Sequence, residues 1–318
     1  MPDKPNNVFN VGHSVPNLRD IIRQHSLRLE TALSLDPGSA RIEVQCLLQF
    51  VLQQNRAYLL SHPEDVLDAE QQARYAALFE RRLNGEPIAY LLGEREFFGL
   101  NFKVTQATLI PRQDTELLVE LALQRFPSPQ PSTAQGGGSL YRVLDLGTGS
   151  GAVALSIAHA RPDAVVTAAD ISNQALAVAG ENAQRLNIGN VRLLCSDWFA
   201  ELHHEHYDLI VANPPYIACD DAHLMQGDLR FEPRAALASG VDGLDDIRRI
   251  AAQAAAHLND HGWLLLEHGH DQAARVRDLL RQSGFVDVFS ARDLAGIERV
   301  SGGQVFSHTV CQHPPFPA

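Results

Sequence analysis

Asn213-Pro214-Pro215-Tyr216 follows the apolar run Tyr207-Asp208-Leu209-Ile210-Val211-Ala212, which reads as a buried strand. The tetrapeptide therefore falls at a strand's carboxyl end, where open α/β sheets place their ligands. Two prolines fix φ near about −65° and remove two N–H donors, and the first pushes Asn213 into an extended conformation. What remains is a stiff loop rich in acceptors. The Asn213 side-chain oxygen and the Pro214 carbonyl can converge on one point, and two convergent acceptors suit a planar –NH2 group with two hydrogens to donate. A rigid turn that merely closes the strand explains the same residues.

A second constellation lies upstream. Asp145-Leu146-Gly147-Thr148-Gly149-Ser150-Gly151 follows one apolar run and precedes a helical pattern. Glycines there let backbone approach a ligand closely, and a helix N-terminus favours an anionic group. The pattern fits a dinucleotide fingerprint only loosely, with Ala152 in its last position. The acidic Asp145 suits a ligand carrying an ammonium and a sulfonium better than a pyrophosphate; S-adenosylmethionine is such a ligand. Asp170 ends the next run and is placed to accept two ribose hydroxyls, or to cap the following helix. Ser196-Asp197-Trp198 ends the third run. Asp197 there suits an adenine amino group and Trp198 the ring, unless Trp198 is simply core at a sheet edge.

Positioning these loops requires alternating strands and helices. Arg142–Leu146, Val165–Ala169, Val191–Cys195, Tyr207–Ala212 and Trp263–Glu267 read as buried strands. Helical patterns lie near Ala152–Ala160, Gln174–Leu186, Asp245–Leu258 and Gln272–Gln282. The alternation predicts a mostly parallel, doubly wound sheet. Phe285–Ser290 and Gln304–Val310 are expected as closing edge strands, with Gly302-Gly303 turning between them. Upstream, Glu96–Pro111 predicts a β-hairpin, and Asp114 is expected to cap a helix from Thr115 to Phe126. The first 90 residues read as a helical bundle: one helix around Leu18–His25, one over Arg41–Gln54 and a third from about Pro63 to Leu83, stopped at Asn84-Gly85. A Pro/Gly/Ser-rich loop spans residues 127–139.

The bulk properties narrow the partners. The 318-residue chain carries a net charge of −12. Its first 94 residues hold nine Lys/Arg against twelve Asp/Glu. Neither part presents the positive balance that phosphate binding needs, so direct nucleic-acid binding is not expected. Apolar runs fall short of the ~18 residues of a membrane span, and Met1-Pro2-Asp3-Lys4-Pro5 has no leader pattern. The cytoplasm is the expected location. Cys46, Cys195, Cys219 and Cys311 match no metal or redox spacing, so reduced, mostly buried thiols are expected. His203-His204-Glu205-His206 looks like a metal cluster but sits in a polar connection, and no metal is expected.

In order and spacing, Asp145–Gly151, Asp170, Ser196-Asp197-Trp198 and Asn213–Tyr216 resemble class I S-adenosylmethionine-dependent methyltransferases. Four flanking segments, 87–99, 108–116, 226–233 and 264–269, resemble the HemK/PrmC family, and the likeness runs from about residue 85 to 310. The resemblance implies a Rossmann-like methyltransferase domain over 113–318, a β-hairpin linker over 91–112 and a helical substrate-docking domain over 1–90. It implies methyl transfer from S-adenosylmethionine to the side-chain amide nitrogen (N5) of the glutamine in the Gly-Gly-Gln motif of peptide chain release factors, by a monomeric enzyme. Asn213, Pro214, Pro215 and Tyr216 would then be catalytic and substrate-binding. Asp145, Gly147, Thr148, Gly149, Ser150, Gly151, Asp170, Asp197, Trp198 and Asn213 would hold the cofactor. Phe98 on the hairpin would cover the glutamine or fill the hairpin core, and Arg112 with Glu116 would form an ion pair beside the cofactor. A ribosomal-protein glutamine methyltransferase is the nearest alternative. An adenine-N6 DNA methyltransferase offers the same –NH2 geometry but needs basic and aromatic contacts to extract its base. A nicotinamide-dependent oxidoreductase would leave residues 213–216 without a purpose. Gly302-Gly303-Gln304 matches the target tripeptide, so self-methylation or self-inhibition is a hypothesis beside the plain glycine turn.

Overall fold

The computed structural model describes residues 16–127 and 140–306. The 128–139 segment, Cys311 and the end of the expected 304–310 strand lie outside them. The chain divides into two units, 1–92 and 93–318.

The first unit is helical: α1 (Leu18–Leu33), α2 (Pro37–Leu52), α3 (Arg56–Ser61), α4 (Ala69–Leu83) and α5 (Ile88–Leu92). Asn17, Asp36 and Asn55 cap the first three with side-chain oxygens. The expected 63–83 helix begins later, because Asp68 and Gln71 form a reciprocal capping box that fixes the α4 start. Leu18, Leu29, Val44, Leu47, Leu48, Leu59 and Phe79 make this unit's core.

The second unit begins with the hairpin β1 (Glu94–Phe97) and β2 (Leu100–Lys103), then α6 (Glu116–Gln124). From there strands and helices alternate: β3 (Tyr141–Leu146), α7 (Ala152–Ala160), β4 (Ala164–Asp170), α8 (Asn173–Arg185), β5 (Val191–Cys195), β6 (Tyr207–Ala212), α9 (Asp245–Ala254), β7 (Leu258–Glu267), α10 (Ala273–Gln282), β8 (Val286–Arg292) and β9 (Glu298–Gln304). They build one seven-stranded sheet in the order β5-β4-β3-β6-β7-β9-β8. Every pairing is parallel except those of β9, which runs antiparallel to β7 and β8. Strands β3, β4 and β6 are continuous apolar runs because helices bury both faces. One face packs on α6 and α7 through Leu118, Val119, Leu155 and Ile157. The other packs on α9 and α10 through Ile247, Ile250, Val276 and Leu280.

Three local expectations need correction. Gly302 and Gly303 lie inside β9, not in a turn. A Cβ on Gly302 would sit 2.8 Å from the Leu264 carbonyl and 2.5 Å from Leu265 Cδ2, so glycine there permits close strand packing rather than a turn. The reversal instead occurs around Gly296, with Asp293 accepting from Ala295 and Ile297 N–H groups. Gln304 donates from Nε2 to the His261 carbonyl, so the tripeptide is locked in the sheet rather than presented to the site. Asp114 does not cap α6; it sits in a 3-10 turn, Gln113–Thr115, and pairs with Arg299. The thiols are less buried than expected: Cys195 is exposed, because it ends the edge strand β5, and Cys46 and Cys219 are half-buried. None of the described helices is long and apolar enough to cross a membrane.

Candidate active site

The order β4-β3-β6 reverses direction of winding at β3, and a cavity of about 460 Å³ opens at the carboxyl ends of these strands. That volume is within the usual range for small-molecule sites. Gly147, Gly149, Asp170, Asp197, Trp198, Asn213 and Pro215 line it. The structure thus brings together seven of the residues singled out, from four strand ends spread over 69 positions of sequence.

The glycine loop is held from the β4 side. Gly147 and Thr148 N–H groups donate to the Ala169 carbonyl at 2.8 and 2.9 Å. Gly149 N–H donates to Asp170 Oδ2 at 2.8 Å, and Ser172 N–H to Asp170 Oδ1 at 2.8 Å. Asp170 is therefore oriented by two backbone donors at the cavity edge. Burial raises its carboxyl pKa, and those two hydrogen bonds oppose the rise. Gly149 has φ +56, and a Cβ on it would meet no protein atom within 4 Å. Its missing side chain leaves the space of the cavity free. Trp198, itself at φ 52, lays its ring on the other glycine: a Cβ at Gly147 would touch Trp198 Cζ3 at 3.4 Å.

Asp145 departs from the expectation. It does not line the cavity. One carboxylate oxygen accepts the Thr148 hydroxyl at 2.7 Å and the Ala154 N–H at 3.2 Å, so the group splices the loop to α7. Full burial pushes its pKa up to about 7. Thr148, Ser150 and Gly151 likewise lie behind the cavity wall. Asn182, which sequence reasoning missed, is wholly buried and stitches this loop to the hairpin. Its Nδ2 donates to the Ser150 and Lys103 carbonyls, both at 2.9 Å, and its Oδ1 accepts from Lys103 N–H at 2.7 Å.

The acceptor loop is fixed from several directions. Asn213 Nδ2 donates to Thr115 Oγ1 at 3.2 Å. That commits the donor end of the amide and leaves its oxygen to face outward. The Tyr216 carbonyl accepts from Gln272 Nε2 at 2.9 Å, and its hydroxyl donates to Glu267 Oε1 at 3.3 Å. Gly243, at φ +74, permits the close approach, since a Cβ there would lie 2.3 Å from the Tyr216 carbonyl oxygen. Ile217 then bridges to Leu237 and Ser239. Pro214 and Tyr216 are outside the cavity lining; Pro214 is buried and Tyr216 packs on the core.

The cavity walls were only partly foreseen. Gln106–Leu109 form one and Pro233, Ala235 and Ala236 another. Glu232 joins them: its buried carboxylate accepts from Ile110 N–H at 2.9 Å and pairs with Arg112. The expected Arg112–Glu116 pair therefore does not form. Glu116 accepts instead from Phe98 N–H at 2.9 Å, fixing the hairpin tip at φ 50, and Phe98 packs against the sheet core rather than into the cavity. Asp197 is engaged by Arg249 at 3.0 and 3.2 Å, and Arg249 lines the cavity beside it. Arg249, Thr115, Glu232 and Glu267 lie tens of residues from their partners, so no local pattern signals them. Glu205, from the histidine-rich segment, bridges Arg142 and Arg192 instead of joining a metal site.

Comparison with known proteins agrees with this architecture. Residues 20–93 match the PrmC N-terminal domain, and residues 132–229 the methyltransferase small domain. The chain is 53% identical over 272 residues to the release factor glutamine methyltransferase of Bordetella pertussis, covering 85% of this chain and 97% of that protein. It is 51% identical over 280 residues to the Burkholderia pseudomallei protein of the same name, covering 86% and 94%. Among solved structures, the hMettl16 catalytic domain in complex with the MAT2A 3'UTR hairpin 6 is similar with a TM-score of 0.50 at 16% identity, covering 73% of this chain and 83% of that one, a likeness of fold. With a helical first unit, a seven-stranded methyltransferase sheet and this identity over most of its length, the chain belongs to the release factor glutamine methyltransferase family.

Proposed function

We propose that this enzyme transfers a methyl group from S-adenosylmethionine to the side-chain amide nitrogen of the glutamine in the Gly-Gly-Gln motif of a release factor. The orientation of Asn213 carries the reading: its Nδ2 is committed to Thr115, so the cavity-lining amide offers an acceptor. The donor's fit rests on the open space above Gly149, the acidic Asp170 held at the rim, and Trp198 beside Asp197. S-adenosylmethionine supplies an electrophilic methyl on a sulfonium. Asp170 holds ribose hydroxyls, Trp198 and Asp197 hold the adenine, and the Gly147–Gly149 backbone accommodates the carboxylate end. Asp145 acts at one remove, by keeping the loop on α7.

A glutamine amide nitrogen is a weak nucleophile because its lone pair is delocalised into the carbonyl. Asn213 Oδ1 and the Pro214 carbonyl accept its two hydrogens and aim the nitrogen into the cavity. Both acceptors also stabilise positive charge developing on nitrogen, as preorganised dipoles do. Holding the reacting groups together contributes up to ~7–11 kcal/mol in the ideal case. Pro215 walls the slot against water, and Tyr216, tied to Gln272 and Glu267, holds the loop in place behind it. The protein works as a monomer in the cytoplasm, and its helical first unit docks the release factor.

The test is labelled methyl transfer to purified release factor, with ribosomal proteins and DNA in parallel, and mass spectrometry to place the label. Label on the Gly-Gly-Gln glutamine, and none on a Gly-Gly-Ala variant, is expected. Asn213→Ala should lose most transfer while keeping cofactor affinity. Transfer to DNA or ribosomal protein in preference to release factor would overturn the assignment.

A further inference from the structure

Gln272 precedes α10, is 4% exposed, and has both ends of its side-chain amide engaged. The Gly269 N–H donates to its Oε1 at 2.8 Å, and its own backbone N–H returns a bond to the Gly269 carbonyl at 3.1 Å. Its Nε2 donates to the Tyr216 carbonyl at 2.9 Å, and the Asp242 and Gly243 carbonyls lie 3.5 Å from the same nitrogen. Carbonyls from two separate segments, the acceptor loop and the loop before α9, thus converge on one –NH2 group. The amide cannot turn round. Its oxygen would then face carbonyls, and its –NH2 would face the Gly269 N–H.

The packing leaves no slack at this node. A Cβ on Gly243 would lie 2.3 Å from the Tyr216 carbonyl oxygen and 2.8 Å from Gln272 Nε2. The other end of Tyr216, its hydroxyl, donates to Glu267 Oε1 at 3.3 Å. Tyr216 is therefore held at both ends by residues between the close of β7 and the start of α10.

We infer that Gln272 is a positioning residue for methyl transfer: by pinning the Tyr216 carbonyl it fixes the far end of the acceptor loop, and so the aim of the Pro214 carbonyl and Asn213 at the substrate amide. This rests on the reading of residues 213–216 as the substrate's acceptor. The two prolines lock φ but leave ψ free. Strand β6 ties the near end of the loop, where Ala212 pairs with Leu146 and Leu266. Gln272 ties the far end, so neither ψ can rotate without breaking an anchor. A misplacement of about 1 Å at the reacting groups can cost on the order of a hundredfold in rate. The cofactor cavity is lined from other strand ends, and neither Tyr216 nor Gln272 lines it. Loss of the anchor therefore falls on transfer rather than on cofactor affinity. Glutamate in place of Gln272 would keep the acceptor for Gly269 and turn a second oxygen on the converging carbonyls.

The experiment measures kcat and cofactor Kd on the full chain with release factor, for Gln272→Glu, Gln272→Met, Gly243→Ala, Gly302→Ala and Asn213→Ala, below each variant's thermal midpoint. Gln272→Glu should lower kcat roughly tenfold or more, with Kd unchanged within about threefold. Gln272→Met, which fills the volume without an –NH2, should lower kcat in the same way. Gly243→Ala pushes on the same carbonyl from the other side, so its loss and that of Gln272→Glu should fall short of multiplying in the double variant. Gly302→Ala, strained outside this node, should keep wild-type kcat, which separates lost aim from lost stability. Wild-type kcat in the Gln272 variants, a Kd loss matching the kcat loss, or an equal kcat loss in Gly302→Ala would overturn the inference. Inactive Asn213→Ala beside fully active Gln272 variants would leave the acceptor reading standing. Fully active Asn213→Ala would overturn both. If Gln272→Glu does not fold, Gln272→Met and Gly243→Ala decide by the same comparison of kcat with Kd.

Discussion

Glu232→Ala should loosen the cofactor cavity more than it destabilises the fold. The side chain is fully buried and joins the Ile110–Arg112 strap to the 233–236 wall. Truncation leaves the Ile110 N–H without its acceptor, and Ile110 is 2% exposed, so that group costs about 1–3 kcal/mol. Arg112 is about a third exposed, so its freed charge recovers water and adds less than the ~3–5 kcal/mol of a fully buried broken pair. A total of about 2–4 kcal/mol follows. Part of that loss appears as cofactor affinity, because Gln106–Leu109 and Pro233–Ala236 then move independently. The expectation is a weakening of Kd by tenfold or more. Glu232→Gln, which keeps one carbonyl for Ile110, should fall between. Urea unfolding with and without S-adenosylmethionine, and calorimetric titration, measure the two effects. An alanine variant with wild-type Kd but reduced stability would refute the link between the walls. One unchanged in both would refute the burial argument itself.

Three further outcomes are expected. Asp145→Asn keeps an oxygen for Thr148 and Ala154 but cannot ionise. The wild-type carboxyl, raised to about 7, holds in the folded state a proton that the unfolded chain releases near pH 4, so its contribution to stability falls as pH rises across that window; relative to wild type the variant should gain more than ~1 kcal/mol between pH 4.5 and 8, and parallel melts at the two pH values would count against this. Trp198→Ala should weaken cofactor binding about tenfold, as loss of one base-stacking ring does, with kcat at saturation little changed; unchanged affinity by titration would remove Trp198 from the adenine site. Gly302→Ala forces a methyl against the Leu264 carbonyl and should cost at least ~1–3 kcal/mol, which a shift in thermal midpoint reads and an unshifted midpoint denies.

The fold was legible wherever burial on two faces writes a continuous apolar run. Tyr207–Ala212 and Ala152–Ala160 form over the expected spans; Val191–Cys195 forms too, but as a half-exposed edge strand rather than the buried one expected. Hidden features were those whose cause is nonlocal. Gly302-Gly303 carries a turn composition, yet close packing on β7 decides its conformation. Arg112 and Glu116 have the spacing of a helical pair, but Arg112 lies before the helix and finds Glu232, 120 residues away. Asp145 has the sequence position of a ligand-facing acid, and only the backbone direction shows that Thr148 and Ala154 take it.

The acceptor loop shows why a motif and its function separate in this way. Four consecutive residues present the chemistry, but their side chains and carbonyls are oriented from far outside the motif. Thr115 precedes α6, Glu267 ends β7, and Gln272 and Gly243 flank α10 and α9. Two prolines stiffen the backbone, yet they cannot choose which end of the Asn213 amide faces the cavity. A flipped amide changes an acceptor into a donor with no change of shape, and it would repel the –NH2 it is meant to hold. The 3.2 Å hydrogen bond from Asn213 Nδ2 to the Thr115 hydroxyl supplies that choice from outside the motif. Thr115→Val, which removes that partner and keeps the four-residue loop, should bind cofactor normally and transfer poorly in the labelled-methyl assay.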